Sequence, residues 1–166
     1  MSNKKNPNAE RVNIMYHPIK LDYTFTASDF TTSYLEALRE GRFIGDRVVE
    51  GDSVYSPPRG VCPRTGLATT ELVDLPNRGV IKMFTVVHIP IPENPMKPPL
   101  TIANIQLEGT DTTFLHLIGE CKNDEVYAGM PVEAVWKPEE EWQYSPANIR
   151  YFAPIGRQDP ASEGER

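Results

Sequence analysis

The stretch Gly79 to Pro90, GVIKMFTVVHIP, decides the reading of this chain. It is rich in β-branched and aromatic side chains and holds no turn residue between its first glycine and its closing proline, so it reads as one long strand. Alternation puts Ile81, Met83, Thr85, Val87 and Ile89 on one face, and Val80, Lys82, Phe84, Val86 and His88 on the other. The first set is expected to face the core. Four shorter runs of the same character lie on either side: Thr69 to Leu75, Thr101 to Leu107, Thr113 to Gly119 and Val132 to Lys137, separated by Gly, Pro, Asn or Asp.

Such runs in succession, with no helical pattern between them, predict a mainly β fold. The expected form is a five- to six-stranded barrel of the oligonucleotide/oligosaccharide-binding (OB) kind over residues 69–157. A β-sandwich is the alternative. The connection PIPENPMKPPL, Pro90 to Leu100, holds five prolines in eleven residues. It lacks the donors of a ladder strand and is expected to project as a stiff loop. Further on, WQYSPANIRYFAPI (Trp142 to Ile155) gathers Trp142, Tyr144, Tyr151 and Phe152 and offers a last edge strand at Arg150 to Ala153.

Upstream, Phe30, Tyr34 and Leu38 recur every four residues and predict one amphipathic helix over residues 28–40. Thr26 or Ser28 can cap it, Asp29 suits the positive end of its dipole, and Gly41 stops it. Residues 41–68 set Gly, Pro, Asp and Arg around short apolar pairs such as Phe43-Ile44 and Val48-Val49, which predicts turns and small hairpins. Residues 1–27 form an N-terminal extension, polar through about residue 12, and residues 158–166 form a tail of similar character. Both polar ends are expected to be disordered or held only by a partner.

Composition bounds the function. A chain of 166 residues with 23 acidic and 17 basic side chains suits one soluble domain. Its net charge of -6 argues against a general nucleic-acid surface, which needs cations to displace counterions. Leu, Ile, Val and Phe fill 39 positions, enough for a core, while 16 prolines exclude a mostly helical chain. No apolar run approaches the ~18 residues of a membrane span and Met1 to Glu10 lacks a signal-like stretch, so a cytoplasmic location is expected. Cys62 and Cys121 have no Cys-x-x-Cys companions and read as two buried thiols.

Catalysis is not advertised. The chain contains no phosphate loop, dinucleotide glycine fingerprint, nucleophile elbow or zinc-protease helix. Of its three histidines, His17, His88 and His116, the last two fall in predicted strands, where a hydrogen-bonded structural role is commoner than that of a base. Glu139, Glu140 and Glu141 read as a solvated turn, because a general acid needs burial to shift its pKa.

The order of these segments resembles a known family: the acyl-CoA-associated OB-fold proteins with a rubredoxin-like zinc ribbon, domain of unknown function thirty-five. YLEALREGRFIGDR (Tyr34 to Arg47) resembles the family's helix leading into the ribbon, and SPPRGVCP (Ser56 to Pro63) the approach to its second cysteine pair. GVIKMFTVVHIP resembles a hallmark barrel segment and EVYAGMPVEAVW (Glu125 to Trp136) the closing one. The likeness covers about residues 30–155. Counted from Gly45, the family's four zinc cysteines fall on Val48, Gly51, Cys62 and Thr65, so three of the four thiolates are missing. A tetrahedral zinc needs four ligands, so the resemblance implies a degenerate ribbon over residues 28–68 with no metal and no other cofactor, packed by Val48, Val49, Val54 and Tyr55.

The same resemblance implies a non-catalytic partner of a thiolase, a thiolase-like aldolase, an acyltransferase or a hydratase acting on CoA thioesters. The acyl group, whether steroid side chain, aromatic acid or short acyl chain, is left open. The expected partner-binding residues are Trp142, Tyr144, Arg150, Tyr151 and Phe152, with the alternative that these aromatics cover an open barrel end. Lys82, His88 and Lys97 are the candidates for contacting acyl-CoA phosphates. The alternative for Lys82 is an outward lysine beside a core Phe84. Two other functions compete: a stand-alone OB binder of single-stranded nucleic acid or carbohydrate, and an enzyme using His88, His116 or Cys121. A hetero-oligomer with no nucleic acid and no membrane among its partners is the expected assembly.

Overall fold

Ser28 opens the helix α1, Asp29–Arg39, accepting a hydrogen bond from the Thr31 N–H at 3.3 Å, with Asp29 in the first turn. Gly41 follows at φ +71°, the left-handed conformation that ends a helix without a Cβ penalty. The buried stripe is Tyr34, Ala37 and Leu38, and burial pushes the Tyr34 hydroxyl up to about 12. In the computed structural model the described residues are 17, 19–48, 51–90 and 96–156. The expectations of disorder at residues 1–12 and 158–166, of packing by Val49, and for residues 91–95 of the proline-rich loop fall outside them. Among the described residues, no helix is long and apolar enough to cross a membrane.

Eight strands follow the helix, in two sheets. The first sheet has the order β2-β1-β3, with β1 at Phe43–Val48, β2 at Val54–Tyr55 and β3 at Thr69–Leu75. The second is a closed barrel of order β4-β5-β6-β8-β7. Its strands are β4 (Arg78–Val87), β5 (Leu100–Leu107), β6 (Phe114–Ile118), β7 (Pro131–Trp136) and β8 (Ile149–Pro154). All pairings are antiparallel except that of β6 with β8, which meet in parallel at Ile118 and Phe152. The mainly β, OB-type fold with an N-terminal helix therefore stands, but one strand changes sheets. Thr69 to Leu75 pairs with β1 in the ribbon-like sheet, and β8, read from sequence as an edge, closes the barrel between β6 and β7.

The face of β4 also needs correction. Its register against β5 shifts between Ile81 and Met83, so Lys82 is an extra residue in a β-bulge. Beyond the bulge, Phe84 and Val86 lie opposite the buried Ala103 and Thr101, while Met83 and Thr85 lie opposite Asn104 and Ile102 on the outer face. Directly opposed residues share a face, so a bulge of one residue turns the remaining strand over. Ile81 is accordingly fully buried, whereas Met83 is 61% exposed and Ile89 78%.

Helix, ribbon sheet and barrel share one core. Leu38 of α1 and Phe43 of β1 are fully buried together with Ile81, Ile105, Val132 and Phe152 of the barrel. Asn148 locks the helix end to the barrel: its amide donates to the Leu38 carbonyl at 3.1 Å and the Gln143 carbonyl at 2.7 Å, and its oxygen accepts from the Gln143 N–H at 2.9 Å. The bulge can be tested by stability. Ile81→Ala should cost about 2–5 kcal/mol in urea unfolding, while Met83→Ser should stay within about 0.5 kcal/mol. Equal costs would restore the unbroken alternation.

Candidate functional site

The aromatic residues singled out by sequence do not form one surface. Phe152 is fully buried between the rings of Phe43, Phe114 and His116, so it fills the barrel instead of anchoring a partner. Trp142 donates its indole N–H to the Lys137 carbonyl at 2.7 Å and packs 5.8 Å from the Trp136 ring, centre to centre. Its other neighbour is Gly41, where an added Cβ would come within 2.5 Å of the indole, so only glycine fits there. Both side chains are thus engaged within the fold. Tyr151 is half-buried over Gly119 and donates its hydroxyl to Glu120 at 2.7 Å. Tyr144 and Arg150 remain exposed, the first stacked under the Arg39 guanidinium at 4.6 Å.

The three phosphate candidates are likewise scattered. Lys82 sits on the bulge and His88 just past the end of β4, six residues on, a span of about 20 Å along a strand. Lys97 is exposed in the β4–β5 connection. His116 lies opposite the buried Ala103 and so faces inward, with Phe114 and Phe152 against its ring. Burial holds its pKa below the usual range, the Leu117 carbonyl pulling weakly the other way, and its Nδ1 has no hydrogen-bond partner. Cys121 is half-buried against the barrel core. Among the described residues no cluster of three or more His, Cys, Asp or Glu has metal-binding geometry.

What the structure does assemble is an open, mainly apolar groove of about 650 Å³ on the barrel wall. Its origin is topological. Strands β6 and β8 meet only at Ile118 and Phe152, and the groove is walled by residues that precede this contact on both strands, Leu115, His116 and Leu117 on one and Ile149 and Arg150 on the other. Among the described residues of its lining, Lys137 and Arg150 carry the formal charges. Outside it, Met83 and Leu115 stand in one cross-strand row with Asn104 between them, both more than 60% exposed, and extend the apolar surface. The sequence carried one sign of this. In FLHLI (Phe114 to Ile118) both faces of the strand are apolar, and a barrel interior covers just one of them.

The second assembly is the ribbon-like sheet. Val48, Gly51, Cys62 and Thr65, the positions counted out for zinc, line one cavity of about 260 Å³. The cradle is present and its ligands are not. Only Cys62 offers a thiolate, Val48 presents hydrocarbon and Gly51 nothing, so this set does not fit a zinc ion. Val48, Tyr55 and Cys62 instead pack as a small buried cluster, with the Tyr55 hydroxyl 3.6 Å from the Cys62 sulfur.

Comparison with known proteins follows this geometry. A family model for the C-terminal OB-fold domain of ChsH2 matches residues 72–137. A DUF35 domain-containing scaffold protein of Methanocaldococcus jannaschii is 35% identical over 95 residues, covering 57% of this chain and 67% of the relative. The chain belongs to the DUF35 family. Two solved structures share the DUF35 fold: an Ltp2-ChsH2(DUF35) aldolase and a DUF35 protein of unknown function from Sulfolobus solfataricus. The first has a TM-score of 0.60 at 21% identity and covers 79% of this chain and 98% of the other. The second has a TM-score of 0.55 at 13% identity, with coverages of 74% and 81%.

In this DUF35 chain the Cys62 thiol is brought down to about 7, chiefly by a hydrogen bond from the Thr65 hydroxyl, with burial opposing. Thiolate is the reactive form, so a lowered pKa moves the onset of reaction to lower pH. Cys62 is itself buried, so alkylation by iodoacetamide, read by peptide mass spectrometry, should be slow at every pH, with a rate that rises through a midpoint near pH 7. Thr65→Val should move that midpoint upward; an unmoved profile would remove Thr65 as the cause.

Proposed function

We propose that this chain is the non-catalytic partner subunit of a thiolase-like, aldolase-type enzyme acting on acyl-CoA thioesters, bracing the catalytic subunit and helping to shape its substrate channel. The observation that carries the reading is the groove between β6 and β8 with its apolar surroundings. A monomeric domain seldom leaves such a surface uncovered, and apolar walls rimmed by cations suit a partner segment that is apolar and flanked by carboxylates. The name of the archaeal relative, a scaffold protein, and that of the aldolase sharing the fold support the same role. Tyr144 and Arg150, exposed on the same C-terminal stretch, extend the proposed interface, and Arg150 belongs to the groove itself. Direct contact of CoA phosphates with Lys82, His88 or Lys97 would run along the surface of β4 and the β4–β5 connection, without a built pocket uniting the three.

The test is co-expression with thiolase-fold enzymes of the source cell, read by native mass spectrometry and by retro-aldol cleavage of CoA thioesters. The expected result is a stoichiometric complex whose turnover needs both chains. Met83→Asp with Leu115→Asp, two exposed sites, should abolish the complex and leave the melting temperature of the isolated chain unchanged. Turnover by this chain alone, or a complex indifferent to both charges, would overturn the proposal. Salt-sensitive binding of an oligonucleotide by the isolated chain would favour the single-strand reading instead.

A further inference from the structure

The mismatch between an intact cradle and missing ligands raises the question of what holds the ribbon-like sheet. We propose that the sheet is metal-free and that the buried carboxylate of Asp46 supplies the tie a zinc ion would otherwise supply.

Asp46 lies on β1, two residues before Val48, and is completely buried. One of its oxygens, Oδ2, accepts three hydrogen bonds: from the N–H of Arg59 at 2.9 Å, from the N–H of Gly60 at 2.7 Å, and from the Thr69 hydroxyl at 2.6 Å. The donors come from two other segments, the loop leading to Cys62 and the first residue of β3. A single side chain thus joins β1 to both ends of the second turn, Gly60 and Thr69, which also meet through the Thr69 N–H and the Gly60 carbonyl at 3.0 Å. A zinc ion in the family pattern would be held from positions 48, 51, 62 and 65, which lie on the chain close to the same tie points.

The physical roles match. Charge-assisted bonds are the stronger kind, and a buried carboxylate is tolerated only when donors converge on it. At the cradle itself, the Val48 side chain and the Tyr55 ring close around Cys62, so hydrocarbon contact fills the interior that coordination would fill. The second turn is held by its own bonds: Cys62 N–H to the Leu67 carbonyl at 2.8 Å, Gly66 N–H to the Cys62 carbonyl at 2.9 Å and Leu67 N–H to the Thr65 hydroxyl at 3.3 Å, with Gly66 at φ +73°. Nothing in that set requires a metal. Ser56 adds a fourth polar tie, its hydroxyl donating to the Ile44 carbonyl at 2.9 Å across β1 and β2.

Three measurements on the full chain test this. Elemental analysis of purified protein should show zinc well below one per chain, and a chelator should leave the melting temperature unchanged; stoichiometric zinc or a chelator-induced drop would overturn the proposal. Limited proteolysis within residues 51–68 should speed up by roughly tenfold or more in Asp46→Ala, which leaves three donors unmet. Asp46→Asn keeps one acceptor oxygen but loses the charge, so it should be cut more slowly than Asp46→Ala and faster than wild type. If Asp46→Ala fails to fold, Asp46→Asn carries this arm: a folded protein cut faster than wild type supports the tie, and equal failure of both overturns it, as does unchanged cutting of the alanine variant. Finally, Val48→Cys with Thr65→Cys places two thiols beside Cys62. This variant should bind Cd(II), with thiolate-to-metal absorbance and a raised melting temperature, while wild type shows neither; no binding would mean that the cradle is not preserved.

Discussion

The structure turns on the burial of Phe43. The residue belongs to the first strand of the ribbon-like sheet, yet its ring is fully buried against Phe114, Trp136 and Phe152 of the barrel, at centroid distances of 6.0, 5.2 and 6.2 Å. Tilted aromatic contacts of this kind add to the large area such rings remove from water. Because the ring comes from one sheet and its neighbours from the other, the two cannot separate without opening a shared core. Leu38 of α1 is buried in the same cluster, so helix, ribbon and barrel are fixed together at this point.

The two notable surfaces are consequences of what the core leaves over. Closing five strands with a single parallel contact between β6 and β8 leaves the walls before that contact unpaired, and their apolar side chains line a groove. The bulge at Lys82 does the same on β4 by turning Met83 outward. His116, in the groove's wall, is packed among aromatic rings, and burial lowers its pKa.

Much of this was legible in the chain itself. The helix stripe, its Ser28 cap and its Gly41 stop are local signals, and the strand runs are marked by their own composition and punctuation. The convergence of Val48, Gly51, Cys62 and Thr65 was also readable, by spacing within the family pattern. Pairing was not. Which sheet receives Thr69 to Leu75 depends on contacts with β1, some two dozen residues earlier, and no period within seven residues carries that information. The bulge escaped for a related reason: an extra residue in one strand is defined only against its neighbour, and Gly79 to Pro90 alternates convincingly by itself. The aromatic cluster near the C-terminus misled because ring content does not say which way a ring points. Phe152 goes inward with β8, and Trp142 is held by a backbone carbonyl and the bare surface of Gly41. Asp46 left a trace, a lone acid within an apolar strand, but its three donors come from positions 59, 60 and 69.

A cylinder fastened along one side by a solitary rung has a built-in seam. Thermal opening concentrates where the fewest bonds must break, so the β6–β8 side parts more readily than the continuous ladders of β4 with β5 or β7 with β8. Widening the seam would draw Phe114 of β6 away from Phe152 of β8, whose ring centres lie 5.7 Å apart beside Phe43, so the shared core limits how far the slot beneath can lengthen.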